Sequence, residues 1–525
     1  MNSGTLSDIN SIKLRSHRIF GGIKPRSYKS SSLRSRIMPS PIPKRLILSL
    51  KQNDGTAARP IVKTGDFVLK YQLIALAEKD DALNLHAPTS GRIVAIKPHS
   101  TPDLGQHPSS CIYLETDNKD RSIWLSRPPD YQVIEHRKLL KLFSQAGICS
   151  LNDLGFSHTQ KNGQNNENNI GLLIINAAES DPYTTANEAL LREFAEEVVS
   201  GARILQKVSM ATRCVIVIEK HKHDSIAATK SALKNSAISL IELPDKYPIS
   251  GDKQIVQGVT GLEVPSGGTP KDIGILVKNV GTAFATHKAI INGEPHINRI
   301  TTLTGQPMRT PKNFEALIGT PVSYLFKICG VDNSRATGAI VDGSIMGVEL
   351  SELNVPLLKK TSCVIVKSKK EFPLQGAEQA CIRCGFCADA CPIRLLPQQL
   401  YAYARSRNNQ ELKSHGLTDC IECGACSYVC PANIPLVQYY RASKASLREI
   451  SKSEEQTPHW KSHFQNDQNG IERNQESILP IEETKKIADK SKFHKLFSKG
   501  KTKTAAALAW LKTRRKNISA IKKQK

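Results

Sequence analysis

Eight of the thirteen cysteines in this 525-residue chain lie in two copies of one pattern, C-x2-C-x2-C-x3-C-P, and that pattern leaves few folds open. The first copy is Cys381, Cys384, Cys387, Cys391 and Pro392; the second is Cys420, Cys423, Cys426, Cys430 and Pro431. Three thiolates at such short spacing wrap three corners of a 4Fe-4S cubane, and the fourth cysteine, followed by proline, turns away to complete the other cluster. The expected ligand sets are therefore crossed. Cys381, Cys384, Cys387 and Cys430 hold cluster 1, and Cys391, Cys420, Cys423 and Cys426 hold cluster 2. Gly385 and Gly424 relax the backbone inside each loop, where amides must turn toward sulfide. The competing reading is a pair of structural zinc sites. Those usually draw on two separated C-x2-C hooks per metal, so four cysteines in one run favour iron-sulfur.

A chain of this length has room for roughly three to five domains, each with its own core. The longest apolar runs, near Leu172 to Ala178 and Ile273 to Val277, are strand-sized and far short of the ~18 residues that span a bilayer. The other five cysteines, Cys111, Cys149, Cys214, Cys329 and Cys363, are scattered singly, as expected of reduced thiols in a cytosolic protein. The first forty residues are basic and serine-rich without the apolar stretch of a secretory signal. No amphipathic face is evident between Ile12 and Met38, so a solvated arm reads better than a mitochondrial transit peptide.

The net charge of +25 is uneven. Residues 485–525 hold 15 Lys and Arg against one acid, Asp489. Phe493, Leu496, Phe497, Leu508, Trp510 and Leu511 interleave with that charge, which suits an anionic membrane surface or an acidic partner. A disordered soluble tail is the plain alternative. Nucleic acid is disfavoured because no base-reading module or aromatic platform stands beside the charge.

Pro39, Pro41 and Pro43 close the basic arm. Short alternating strands follow from Leu46 to Ile96, broken at Gly65-Asp66 and at Pro88 to Gly91, and look like a biotinyl/lipoyl barrel-sandwich module. Aligned on Ala87-Pro88, that family's modified lysine falls on Asp80, with Lys79 one place off, so the module is expected to be unmodified. Strand-like runs at Gly171 to Asn176, Cys214 to Ile218 and Ile273 to Val277 alternate with helices near Asn187 to Val208 and Ser225 to Lys234. That is a Rossmann-like arrangement. After Gly293 come a small α+β module, then a helix from Pro397 to Ser406 between the cysteine runs, then a polar linker. The fold class is multidomain α/β, with these boundaries: basic N-terminal arm 1–40, barrel-sandwich domain 41–125, Rossmann-like domain 126–298, small α+β module 299–350, helical bis-4Fe-4S ferredoxin-type domain 365–450, polar linker 451–484, and basic tail 485–525.

The order of these parts resembles the C subunit of the Rnf/Rsx ion-translocating electron transport complex, from Phe20 to about Arg448. Its marks are Gly21-Gly22-Ile23-Lys24-Pro25, the run His86 to Gly91, Glu263 to Gly268, Asn279-Val280-Gly281-Thr282 and the double cysteine motif. The resemblance implies a peripheral protein on the cytoplasmic face of a bacterial inner membrane, working with other subunits of a membrane-bound complex. It also implies kinship with the NADH-oxidising flavoprotein subunit of respiratory complex I, hence an FMN and NADH site followed by a β-grasp module. Gly155, Phe156, Asn176 and Glu179 fall on the family's flavin positions.

One stretch departs from the family. Where the flavin loop reads approximately G-L-G-G-A-G-F-P-T, this chain has Ser150-Leu151-Asn152-Asp153-Leu154-Gly155-Phe156-Ser157-His158. Three of four glycines are gone, and Asp153 would bring negative charge toward a phosphate. Lys161 to Asn169, rich in Asn and Gln, replaces a tighter segment. Asn176 can also be read as a strand-end cap and Glu179 as a solvated loop carboxylate instead of flavin contacts. Two functions stay open: an electron-transfer subunit of an NADH-linked, ion-translocating oxidoreductase using FMN and two 4Fe-4S clusters, or a cluster-bearing relay or assembly subunit that has lost its flavin chemistry. A redox-responsive nucleic-acid binder is a weaker third.

Overall fold

The computed structural model describes residues 9, 11–102, 108–125, 127, 130–150, 152–154, 170–373, 376–451 and 453. The tail 485–525, nearly all of the linker 451–484, and Gly155 to Asn169 lie outside them. The described residues up to Leu447 belong to one compact unit. Among the described residues no helix is long and apolar enough to cross a membrane.

The alternating strands after Pro43 close into a sandwich. Strands β1 (Arg45–Ser49), β2 (Phe67–Val68), β3 (Gly91–His99) and β4 (Ser109–Thr116) form an antiparallel sheet in the order β1-β4-β3-β2. Arg59–Pro60, Leu73–Leu76 and Leu85–His86 form a second sheet. The inward residues of both, Leu46, Leu48, Ile74, Ile93, Ile112 and Leu114 among them, make one core, as period-two alternation requires. The turn that would carry a prosthetic group is tied down. Thr56 donates its hydroxyl to Asp81 Oδ1 at 2.7 Å, Asn53 Nδ2 donates to the Asp81 carbonyl at 2.9 Å, and Lys79 is exposed beside them.

The central region is a parallel sheet of β5 (Leu172–Asn176), β6 (Arg213–Glu219), β7 (Ser239–Leu243) and β8 (Ile275–Asn279), in the order β7-β6-β5-β8. The first strand in sequence lies inside the sheet and the fourth pairs on its other side, so the winding reverses between β5 and β8. Such a sheet must be covered on both faces. Leu173, Ile175, Ile216 and Leu276 face α1 (His136–Gln145), α3 (Ala195–Ser209) and α6 (Val280–His287) through Leu139, Phe143, Leu205 and Ala283. Leu172, Ile174, Val215 and Val217 face α5 (Asp252–Thr260) through Ile255, Val256 and Val259. The helix expected over Asn187 to Val208 is two, α2 (Ala186–Glu193) and α3. They divide at Phe194, whose backbone leaves helical values at φ −133° as its ring packs on Phe284. The expected helix near Ser225 is α4 (His223–Ala232).

The second face of this sheet corrects the reading of the N-terminal arm as solvated. Ile9 and Ile19 are buried in the core beside Leu172 and Val256. The strap runs on past Lys29 and Ser32, both buried, and Met38–Pro39 adds a short parallel strand to the next sheet. Ile9 lies in helical backbone, but from Ile12 to Phe20 the strap has no regular structure, bonding Arg15 N and His17 N to carbonyls at the end of α5. A search for a helical amphipathic face could not see it.

The third region is a mixed sheet of β9 (Asn298–Thr304), β10 (Lys312–Leu317), β11 (Ala336–Val341), β12 (Val348–Glu349) and β13 (Cys363–Ser368), with α7 (Val322–Ile328) packed on it. The order is β10-β9-β13-β11-β12, with β9 and β13 parallel. Because β13 is central, the expected boundaries at 350 and 365 fall short of the sheet's end. The run Cys-Val-Ile-Val-Lys-Ser completes it. Beyond it lie α8 (Phe386–Asp389), α9 (Pro397–Arg405), α10 (Asn409–Ser414) and α11 (Ala425–Tyr428), with residues 436–447 helical after them.

Candidate functional site

The two cysteine runs repeat each other in backbone as well as sequence. Positive φ recurs at matched places: Arg383 and Glu422, Gly385 and Gly424, Arg394 and Asn433. Left-handed backbone at a non-glycine residue is uncommon, so the two matched non-glycine pairs, with the glycine pair between them, mark one loop built twice. The eight thiols divide between two cavities. One is lined by Cys381, Cys384, Cys387 and Cys430 with Ile382, Tyr401 and Leu436. The other is lined by Cys391, Cys420, Cys423 and Cys426 with Leu395, Val437 and Tyr440. Each thus takes three cysteines from one run and the last cysteine of the other. Among the described residues no three ligating side chains gather tightly enough for a single ion, whereas a cubane stands between its thiolates. Burial pushes the Cys423 thiol up to about 12, and bound iron would hold it as the thiolate. Donor chemistry and arrangement fit 4Fe-4S clusters.

The two cavities differ in exposure. Cys381 and Cys384 are exposed, while Cys391, Cys423 and Cys426 are buried. Tyr247 packs with Ala390, Cys423 and Ala425 against the buried cavity and donates its hydroxyl to the Cys423 carbonyl. The same side chain lines a third, larger pocket.

That pocket, about 450 Å³, opens at the carboxyl ends of β5 and β8, where the winding of the sheet reverses. Ligands of open α/β sheets bind at this crevice, and the volume is in the range of cofactor sites. Asn176 and Asn279 are register partners at the two strand ends, and both line it. Asn176 accepts from Ala178 N and donates to the Ser250 carbonyl, each at 2.9 Å. Asn279 caps α6 by accepting from Gly281 N at 2.8 Å. Glu179 is buried, in contrast to the solvated-carboxylate alternative. It accepts from Asn187 N at 2.8 Å and Glu188 N at 3.3 Å. Burial raises its carboxyl above the usual range, opposed by Lys222, whose Nζ lies 3.8 Å away, and by Lys29, which donates to its carbonyl.

Asp153 also lines the pocket, in a one-turn helix closed by reciprocal bonds: Ser150 N to its carboxylate at 3.2 Å and its own N–H to Ser150 Oγ at 3.1 Å. Gly155 and Phe156 lie outside the described residues. The remaining walls come from residues that sequence reasoning did not single out. Leu83 and Gln52 reach in from the sandwich, and His296, Arg299 and Lys359 from the third region. Lys359 donates to the Asn84 carbonyl at 2.8 Å and the Gly147 carbonyl at 2.6 Å, and burial lowers its amine to about 7. Arg299 donates to Asn279 Oδ1 at 3.1 Å; its Nε and the His296 Nδ1 are buried without a protein partner. The orphaned Arg299 guanidinium donor beside a helix start fits a phosphorylated ligand such as FMN. These residues stand far apart in the chain, and no local spacing announces them.

Fold and site together define a modular iron-sulfur electron-transfer protein with a flavin-type α/β domain. Three family models match: the RnfC barrel sandwich hybrid domain over residues 17–119, the Nuo51 FMN-binding domain over 143–288, and a 4Fe-4S dicluster domain over 378–434. The C subunit of the ion-translocating oxidoreductase complex of Yersinia pestis bv. Antiqua (strain Antiqua) is 42% identical over 452 residues, 85% of this chain and 72% of the relative. The protein of the same name from Yersinia enterocolitica is 43% identical over 460 residues, 86% and 65% of the two chains. The one from Pseudomonas aeruginosa is 42% identical over 433 residues, 82% and 56%. The chain belongs to this family, the C subunits of ion-translocating oxidoreductase complexes, and spans between 56% and 72% of the length of these relatives. A solved NAD+-reducing [NiFe]-hydrogenase in the air-oxidized state covers 55% of each chain at 16% identity and a TM-score of 0.39, too slight a likeness to bear on the fold.

Proposed function

We propose that this chain is the peripheral electron-transfer subunit of an ion-translocating oxidoreductase complex, on the cytoplasmic face of a bacterial inner membrane, passing electrons between a nicotinamide/flavin site and membrane partners. The observation that carries the reading is Tyr247, which lines the flavin-type pocket and bonds the loop of the buried thiol cavity. With crossed ligand sets, cluster 2 (Cys391, Cys420, Cys423, Cys426) is the one next to the pocket and cluster 1 (Cys381, Cys384, Cys387, Cys430) the one at the surface. Bound FMN would supply two-electron exchange with a nicotinamide and one-electron exchange with iron-sulfur centres. Asn176 and Asn279 would orient it across the strand ends, Arg299 would pair with its phosphate, and buried Glu179 would fix the ring edge through a carboxyl that the Lys222 network holds in place. Tyr247 excludes water between pocket and cluster. The order β10-β9-β13-β11-β12 with α7 supports the β-grasp assignment, extended here to Ser368.

Asp153 favours the second reading, a relay subunit without flavin chemistry, because its carboxylate lies in the pocket wall where the family has glycine. Anaerobic quantification decides between them. The first reading expects about eight iron and eight sulfide with one FMN per chain, and bleaching of the flavin by NADH. Full clusters with no flavin, even after FMN is supplied, would establish the relay.

A further inference from the structure

Gly21-Gly22-Ile23 is a sequence mark with no part in the pocket or among the thiols, yet it touches both neighbours of the buried cavity. At Gly21, φ is +51°, and a Cβ there would lie 2.3 Å from the Cys391 carbonyl oxygen and 2.9 Å from Pro392 N. At Gly22, φ is +76°, and a Cβ would lie 2.6 Å from the Tyr247 carbonyl oxygen. Gly22 N donates to the Ala390 carbonyl at 2.9 Å. Ile23 and Tyr247 exchange both backbone hydrogen bonds, at 2.8 and 2.9 Å, and the Ile23 side chain packs on the cluster formed by Tyr247, Ala390, Cys423 and Ala425. The strap is anchored on both sides of this point. Ile19 is buried in the α/β core upstream, and downstream Tyr28 N donates to the Pro182 carbonyl at 2.9 Å. Phe20 lies under the Arg394 guanidinium, 4.7 Å from its ring centre.

We propose that Gly21–Ile23 is a clamp that seats the Cys391-Pro392 turn against Tyr247, and so positions the cluster nearest the pocket while leaving the other cluster to its own loop. Only a backbone without Cβ passes between two carbonyls this closely, and an L-residue there would also be held at positive φ. Cys391 is the one thiol that the first run contributes to the buried cavity. Displacing its turn therefore removes a ligand from that cluster alone. The residues act through Cys391 and Tyr247, so they are positioning residues. The inference rests on the crossed ligand sets proposed above.

The test uses the full chain, purified anaerobically, with Gly21→Ala, Gly22→Ala, Ile23→Ala and the reference variants Cys391→Ala and Cys381→Ala. Gly21→Ala is expected to halve iron and sulfide and to abolish, in the reduced protein, the same paramagnetic signal that Cys391→Ala abolishes, with bound flavin at the wild-type level. Ile23→Ala, which leaves the strap backbone and both glycines unchanged, is expected to retain all the iron but shift the midpoint potential of that cluster and not of the other. Wild-type iron and signals in both glycine variants, or loss of the Cys391-independent signal instead, would overturn the clamp. So would an Ile23→Ala protein with both potentials unmoved, since it loses only the strap side chain packed on Tyr247, Ala390 and Cys423, which keeps the question decidable if the glycine variants do not fold. If Cys391→Ala and Cys381→Ala remove the same signal, crossed ligation fails, and the clamp is still judged by whether Gly21→Ala reproduces the Cys391→Ala spectrum.

Discussion

Arg299 and Asp153 bear opposite charges on the walls of one pocket, and only one of them suits a phosphate. A charge-assisted hydrogen bond contributes about 1.5–3 kcal/mol, or roughly 10- to 100-fold in affinity. Arg299→Gln is expected to weaken FMN binding by about that factor while leaving riboflavin, which has no phosphate, nearly unchanged. Asp153→Asn keeps an acceptor for Ser150 N but loses the charge, and should tighten FMN alone. Quenching of flavin fluorescence measures both; equal effects on FMN and riboflavin would mean that neither residue meets the phosphate. Lys359 gives a second residue-scale prediction. Its amine is lowered by burial to about 7, against an ordinary 10.5, and the groups facing it are Cys149, His86 and His296. The unfolded chain therefore binds the extra proton between those two values, so stability gains about 1.4 kcal/mol per pH unit as pH rises through that window. Below pH 7 the gain is absent. Thermal unfolding of the wild type against Lys359→Met, from pH 7 to 10, should show a stability difference moving steadily toward the wild type, and parallel curves would refute a buried neutral amine.

At the scale of elements, the strap makes a prediction that the solvated-arm reading does not. Ile19→Asp would set a carboxylate among Leu172, Val256 and Val259, costing several kcal/mol, whereas an exposed position tolerates such a change within about 0.5 kcal/mol. A melting temperature unmoved by this substitution would mean that the strap does not cover the sheet in solution. The contrast shows what could be read in the sequence. The grouping of the thiols into two cavities was legible because every one of the eight sits within a short run whose spacing sets the local geometry. Strands β5 and β6 were legible because a parallel strand covered on both faces must be continuously apolar, whereas β8 starts two residues later than the run Ile273 to Val277, whose first residue closes a one-turn helix, and ends on Lys278 and Asn279. The strap was not, since a segment without regular structure buries isolated side chains such as Ile19 with no period to detect. The pocket was half legible. Asn176 and Glu179 sit in a motif, but Arg299 and Lys359 reach it only because the third sheet folds back across the strand ends. Strand β13 escaped for the same reason, its partners β9 and β11 being set by long-range pairing.

Across the whole molecule the pocket, Tyr247, the buried thiols and the exposed ones follow one another, and the proposed attachment to a membrane complex points to the basic tail. Residues 485–525 hold 15 of the chain's 73 Lys and Arg with a single acid. Each cation close to an anionic surface contributes on the order of 1 kcal/mol, diminished by salt over a Debye length of about 8–10 Å. A few engaged lysines therefore outweigh thermal energy, but durable attachment also needs apolar burial or a protein partner, which Phe493, Phe497 and Trp510 or the other subunits would supply. Deleting residues 485–525 is expected to release much of the protein from membranes at moderate salt, with iron, sulfide and both paramagnetic signals intact. Sedimentation across a salt series separates the contributions. A wild-type protein that dissociates steeply with salt while the truncated form is already free assigns attachment to the tail's charge. A truncated form that sediments as fully as the complete chain at every salt concentration assigns it to the folded domains, with the exposed Cys381 loop as the next face to test.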